Sequence, residues 1–171
     1  MLFADVRGYT RLTAGLSPAE VPALVNRFYE TASATLLANH GLLGQIEGDN
    51  VMSLFVPGLA GAEYRRHAVE AGRSLLQAIG PGTELSLELG VGISSGEEFV
   101  GNVGGGGYKD FTALGDVTNT AARLTAQADR GEVLVDAETY AAASDHFPDA
   151  AREELTLKGK QAPVSAYRIT V

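Results

Sequence analysis

An α+β sandwich is the fold this sequence predicts, and three observations carry the prediction. Short β-type runs alternate with two long helical stripes in the order βαββαβ, with further αβ units behind them. The runs Leu42–Ile46 and Val51–Val56 flank Gly48-Asp49, a dipeptide suited to a two-residue hairpin, so they pair antiparallel. No repeat and no linker interrupts the 171 residues, which read as a single domain spanning 1–171. The expected architecture is ferredoxin-like: helices packed on a mostly antiparallel sheet, with additional C-terminal αβ elements.

Leu2–Val6 is a short strand, and Gly8 breaks it. A strand already under way at Leu2 reads as a domain excised from a longer protein. Ser17-Pro18-Ala19-Glu20 opens the first long helix, with serine as N-cap, proline at the first helical position and glutamate three residues after the cap. Val21, Leu24, Phe28, Ala32 and Leu36 then share one face, and His40-Gly41 ends the helix. Val51–Val56 is apolar on both faces, which places it centrally in its sheet. A second helix is expected over Ala62–Ile79, stopped by Gly80-Pro81-Gly82. Strict alternation follows: Leu85, Leu87, Leu89, Val91 and Ile93 point one way, Ser86, Glu88, Gly90 and Gly92 the other. Glu98–Val103 continues as a strand, and Gly104–Gly107 reads as a hairpin or arm. Asp116 is the expected N-cap of a third helix whose apolar stripe is Val117, Ala121, Leu124 and Ala128. A strand (Glu132–Val135), a short helix (Ala137–Ser144) and two strands, near Leu155 and over Val164–Ile169, complete the chain.

Composition removes several function classes. At 45% hydrophobic residues the chain can bury a sizeable core. The net charge of −8 and the lack of a Lys/Arg run argue against a generic nucleic-acid surface. There is no cysteine, so disulfides and thiolate metal sites are excluded, which fits a reducing, cytoplasmic setting. No apolar stretch approaches membrane-spanning length, and the N-terminus lacks signal-peptide features. The full-length protein could still be membrane-tethered.

Among residues that bear chemistry, Asp5 ends the first strand and Asp49 sits at the hairpin. If that strand pairs beside the hairpin, the two converge as oxygen ligands for Mg²⁺ or Mn²⁺. Spacing alone leaves open that Asp49 is a turn residue and Asp5 a solvated strand end. Asn119 and Arg123, four residues apart, share a helix face turned away from the apolar stripe and suit an anionic or ribose-bearing ligand. Lys158-Gly159-Lys160 can hold phosphates or be a plain turn. Gly92-Ile93-Ser94-Ser95-Gly96 matches the nucleophile-elbow pattern, but the residues after it read as extended where that motif needs a helix. His40, His67 and His146 show no ligand spacing.

Together these segments resemble the class III nucleotidyl cyclase catalytic domain, the adenylate/guanylate cyclase family. LFADVRGYT (2–10) is similar to its opening strand with a metal aspartate, and QIEGDNVMSLF (45–55) to its metal hairpin. LGVGISSGEEFVGNVG (89–104) resembles its central strand and glycine-rich hairpin. DFTALGDVTNTAARL (110–124) with LKGK (157–160) resembles its catalytic helix and lysine turn. The match runs in order over essentially the whole chain; a diguanylate-cyclase-type turn would instead read two glycines followed by Asp-Glu-Phe.

The resemblance implies a class III cyclase fold and a reaction. The ribose 3′-hydroxyl of a nucleoside triphosphate attacks its own α-phosphorus and pyrophosphate leaves. Asp5, Asp49 and the carbonyl of Val6 would hold two divalent cations. Asn119 would orient the ribose, Arg123 would stabilise the α-phosphoryl group, and Lys158 would hold the terminal phosphates. It also implies a homodimer with two composite sites, each using aspartates of one chain and the remaining residues of the other. Gln45 and Thr112 occupy the base-reading positions. An amide and a hydroxyl each donate and accept, so the pair is ambivalent; Thr112 and the absence of a guanine-reading glutamate favour ATP over GTP. Glu47 departs from the family's usual apolar residue or threonine. An alternative reading is a degenerate module that binds nucleotide or dimerises without turnover.

Overall fold

The computed structural model describes residues 1–107 and 109–170. In chain order the elements are β1 (Leu2–Val6), α1 (Tyr9–Thr13), α2 (Glu20–Ala38), β2 (Leu42–Glu47), β3 (Asn50–Leu54), α3 (Pro57–Ala60), α4 (Tyr64–Ile79), β4 (Leu89–Ile93), β5 (Phe99–Val103), β6 (Asp110–Leu114), α5 (Asp116–Gln127), β7 (Glu132–Asp136), α6 (Ala137–Ala141), β8 (Ala151–Leu155) and β9 (Val164–Thr170). Seven strands form one sheet in the order β2-β3-β1-β4-β7-β9-β8, and β5 pairs with β6 in a separate ribbon. The first four strands make the βαββαβ unit, antiparallel throughout; among the described residues β4–β7 is the one parallel pair. The expected α+β sandwich is the fold that forms.

Helices cover both faces. Phe28, Ala32 and Leu36 of α2 and Val69, Leu75 and Ile79 of α4 pack on one face against Leu2, Ala4, Val91 and Val133. The other face carries α5, whose Ala121 and Leu124 are buried, as is Ala128 at its C-terminal cap. The helix can lie this close because β4 has Gly92 beneath it. A Cβ there would sit 2.1 Å from the Thr125 amide nitrogen and 2.4 Å from the Ala121 carbonyl oxygen. β3 is buried along most of its length, as its two-sided apolar pattern requires, and lies one strand in from the sheet edge.

Several boundaries differ from the sequence reading. Only Leu89–Ile93 of the alternating run is a strand; Ser86 takes φ 49°, which breaks the extended conformation before it. Leu87 nevertheless stays buried. The first long helix starts at Glu20 without a side-chain cap, yet half of the expected capping box forms, because the Glu20 carboxylate accepts from the Ser17 amide at 2.8 Å. Asp116 is the first residue of α5 and not its cap, which is Gly115. β6 and the short helices α1 and α3 carry too few periodic residues to announce themselves. Among the described residues no helix is long and apolar enough to cross a membrane.

Candidate active site

β1 and the β2–β3 hairpin bring Asp5 and Asp49 together. Asp5 pairs in register with Asn50, the residue after Asp49. The Val6 amide donates to the Asp49 carbonyl at 3.0 Å, which straps the turn to the end of β1. Gly48 takes φ 58°, the left-handed conformation the turn needs, and its carbonyl accepts from the Tyr29 hydroxyl of α2 at 3.0 Å. Partial burial pushes the Asp5 carboxyl above the ordinary carboxylate range; Arg7 opposes the shift, Asp49 adds to it, and a hydrogen bond with Asn50 opposes it. Two carboxylates that repel one another suit a hard divalent cation, which completes its shell with water and phosphate oxygens. Among the described residues no set of three or more Asp, Glu or His stands ready to hold a metal alone. The donor set therefore fits an ion shared with a phosphorylated ligand. Glu47 is exposed to solvent.

Arg7 escaped the sequence reading. One guanidinium nitrogen donates to Asp5 Oδ1 at 2.9 Å and another to the Thr125 carbonyl of α5. The guanidinium lies over Gly90, where any Cβ would collide with it. The period-two pattern, which puts residues 3, 5 and 7 on one side of the strand, was the available signal.

Asn119 and Arg123 stand on the outward side of α5, Asn119 exposed and Arg123 half-buried. The Asn119 amide nitrogen donates back to the Gly115 carbonyl at 2.9 Å, which leaves its oxygen turned outward. The lysine turn passes over Arg123: a Cβ on Gly159 would sit 3.2 Å from a guanidinium nitrogen. Lys160 is ion-paired with Asp116. Among the described residues Arg123 and Lys158 have no carboxylate partner. Glu98, also missed by sequence, orients the first turn of α5 by accepting from the Thr118 amide at 2.9 Å and hydroxyl at 2.8 Å.

The base-reading candidates share one neighbourhood. Gln45 bonds Asp110 across β2 and β6, and Thr112 lies two residues along the same face of β6. Within one chain the two groups of candidates are not joined directly. Among the described residues no hydrogen bond or ion pair joins Asp5 or Asp49 to Asn119, Arg123 or Lys158. Ser94, the centre of the nucleophile-elbow match, is 3% exposed and donates to the Asp136 carboxylate, and a ribbon follows it where the motif needs a helix.

A family model described as the adenylate and guanylate cyclase catalytic domain matches residues 1–170. The chain belongs to that family. Its fold superimposes on the adenylyl cyclase CyaB from P. aeruginosa with TM-score 0.85 and 29% identity, covering 99% of this chain and 92% of that one. The guanylyl cyclase Cya2 superimposes with TM-score 0.89 at 26% identity, covering 98% and 88%. Adenylate cyclase 1 of Rhizobium meliloti is 28% identical over 130 residues, which are 72% of this chain and 20% of that protein. The chain spans less than a third of the length of curated relatives it matches. The solved relatives are named for both cyclic products, so membership in the cyclase family does not choose between purines.

Proposed function

We propose that this domain is a metal-dependent nucleotidyl cyclase acting in intracellular signalling. It converts a purine nucleoside triphosphate to its 3′,5′-cyclic monophosphate and pyrophosphate. One observation carries the reading: the hairpin gathers Asp5 and Asp49 into an oxygen-donor pair, while Arg123 and Lys158 stand without a carboxylate partner among the described residues.

Asp5 and Asp49, with the Val6 carbonyl, would hold two divalent cations, Mg²⁺ or Mn²⁺, which when bound acidify the attacking hydroxyl and neutralise phosphate charge. The outward oxygen of Asn119 accepts from the ribose and holds it for attack. Arg123 places a planar cation against charge that builds on the α-phosphoryl oxygens. Lys158 binds the terminal phosphates. Residue types favour ATP over GTP, through Thr112 and the missing glutamate at position 45.

The lack, among the described residues, of any hydrogen bond or ion pair between the two residue groups within one chain supports a head-to-tail homodimer with two shared sites. So does the β5–β6 ribbon, which exposes Phe99 (53%), Val100, Phe111 and Leu114 (52%). The test is purified protein with Mn²⁺ or Mg²⁺, at high concentration, given ATP and GTP in parallel. Cyclic product and pyrophosphate are expected, and Arg123→Ala should lose 10²–10³ in rate, about 2.7–4 kcal/mol. If neither nucleotide yields product, a non-catalytic regulatory module is the better reading.

A further inference from the structure

The residue-type preference for ATP treats the Gln45 amide as free to turn. The structure ties it down. β2 shifts register between Leu43 and Ile46, the stretch that contains Gln45. Gly44 lies within the shift, against the flexible end of the Met52 side chain. Gln45 Nε2 then meets Asp110 Oδ2 at 2.5 Å.

Hydrogen-bond chemistry decides which way the amide faces. A carboxylate only accepts, so the amide can meet Asp110 only through its NH₂ group. That leaves Oε1, an acceptor, as the atom Gln45 presents. Guanine's Watson–Crick edge offers donors at N1 and N2 beside an acceptor at O6. Adenine places an acceptor, N1, where guanine has a donor. An acceptor at Gln45 therefore pairs with guanine and repels adenine N1. Thr112, whose hydroxyl lies on the Asp110 face of β6, can donate to O6 or accept from the adenine amino group, and so tolerates both.

We infer that Asp110 is a specificity-determining residue: by locking the Gln45 amide as an acceptor it gives the site a guanylate cyclase activity that glutamine alone would not specify. This rests on the cyclase reading above. Asp110 touches no base; it acts through Gln45, so it is a positioning residue, and its signature is a change in base discrimination.

The experiment measures kcat/KM for GTP and ATP with Mn²⁺ in wild type, Asp110→Ala, Asp110→Glu, Gln45→Leu and the Gln45→Leu/Asp110→Ala double variant. Wild type is expected to use GTP at least about as well as ATP. Asp110→Ala should lower the GTP/ATP ratio by roughly tenfold or more, because the freed amide can turn its NH₂ to adenine N1. Asp110→Glu, still an acceptor, should restore the ratio. In the Gln45→Leu background, Asp110→Ala should change the ratio no further. Should the alanine variant fail to fold, Asp110→Lys, which can only donate and so meets Oε1, reads the same shift. A ratio unmoved by Asp110→Ala, or moved equally without Gln45, overturns the inference even if cyclic nucleotide forms. If no variant turns over either nucleotide, competition between fluorescent GTP and ATP analogues reads the same ratio. A shift in binding there upholds the role of Asp110 while the cyclase reading fails, and no shift or no binding overturns both.

Discussion

At the scale of single residues, Asp5 is the most constrained group in the site. It is partly buried, faces Asp49, and leans on Arg7 at 2.9 Å. Burial raises its pKa, so the folded, metal-free domain holds that proton more tightly than the unfolded chain does. Between the unfolded value and the raised folded one, stability therefore falls as pH rises, and above the folded value the loss is complete. Asp5→Asn keeps an acceptor for Arg7 and removes the charge. In chelator at neutral pH this variant should melt above wild type, and the gap should close as pH drops through that window. Added Mn²⁺ should invert the order, since only the wild type gains binding energy from the ion. Melting curves across pH, with and without Mn²⁺, make the check; a gap that ignores pH would mean the carboxyl is not the cause. Arg7 in turn fixes one carboxylate oxygen, the kind of supporting contact whose loss typically costs about 10–100-fold in metal affinity.

Among the elements, α5 and β4 form the pair on which the site is mounted. Gly92 and Gly90 look from sequence like the weak side of an alternating strand. In the fold they are clearance, for the backbone of α5 and for the guanidinium of Arg7. Gly92→Ala meets backbone atoms that cannot rotate aside, so α5 must lift from the sheet. About 1–3 kcal/mol of stability should go, read as a lower urea midpoint, with activity falling because Asn119 and Arg123 move with the helix. The same pair shows what could be read in advance. Periodicity found β1, the hairpin, α2, α4 and α5, because each buries a regular stripe. The hairpin dipeptide located Asp49, and helical spacing put Asn119 and Arg123 on one face. Arg7 could have been found from its period-two step from Asp5, but its hold on α5, like the roles of Glu98 and Asp110, was not legible. Each acts through a partner 20 or more residues away, Thr125, Thr118 and Gln45 respectively, and no local period marks such a pairing.

For the whole molecule, the question is where one complete site lies. The carboxylate pair sits at the hairpin end of β1, whereas Arg123 stands on the outward side of α5 beneath the turn that carries Lys158, and a link between the two regions runs through Arg7 to a carbonyl of α5. Arg7 thus joins the two regions mechanically, while among the described residues no hydrogen bond or ion pair joins their reactive groups. A second copy turned head to tail would set its hairpin against this chain's α5 and use the exposed ribbon residues as contact surface. Such a two-fold arrangement makes two identical shared sites. Asp5→Ala and Arg123→Ala should each be nearly inactive alone, because both sites in either homodimer are broken. Mixed in equal amounts and allowed to exchange, half the dimers carry one chain of each kind. Each of those has one site with both defects and one with neither, so activity should recover to about a quarter of wild type. A site built within one chain predicts no recovery, since every site then carries a defect. Subunit exchange measured by fluorescence transfer between labelled variants separates that result from dimers that never mix.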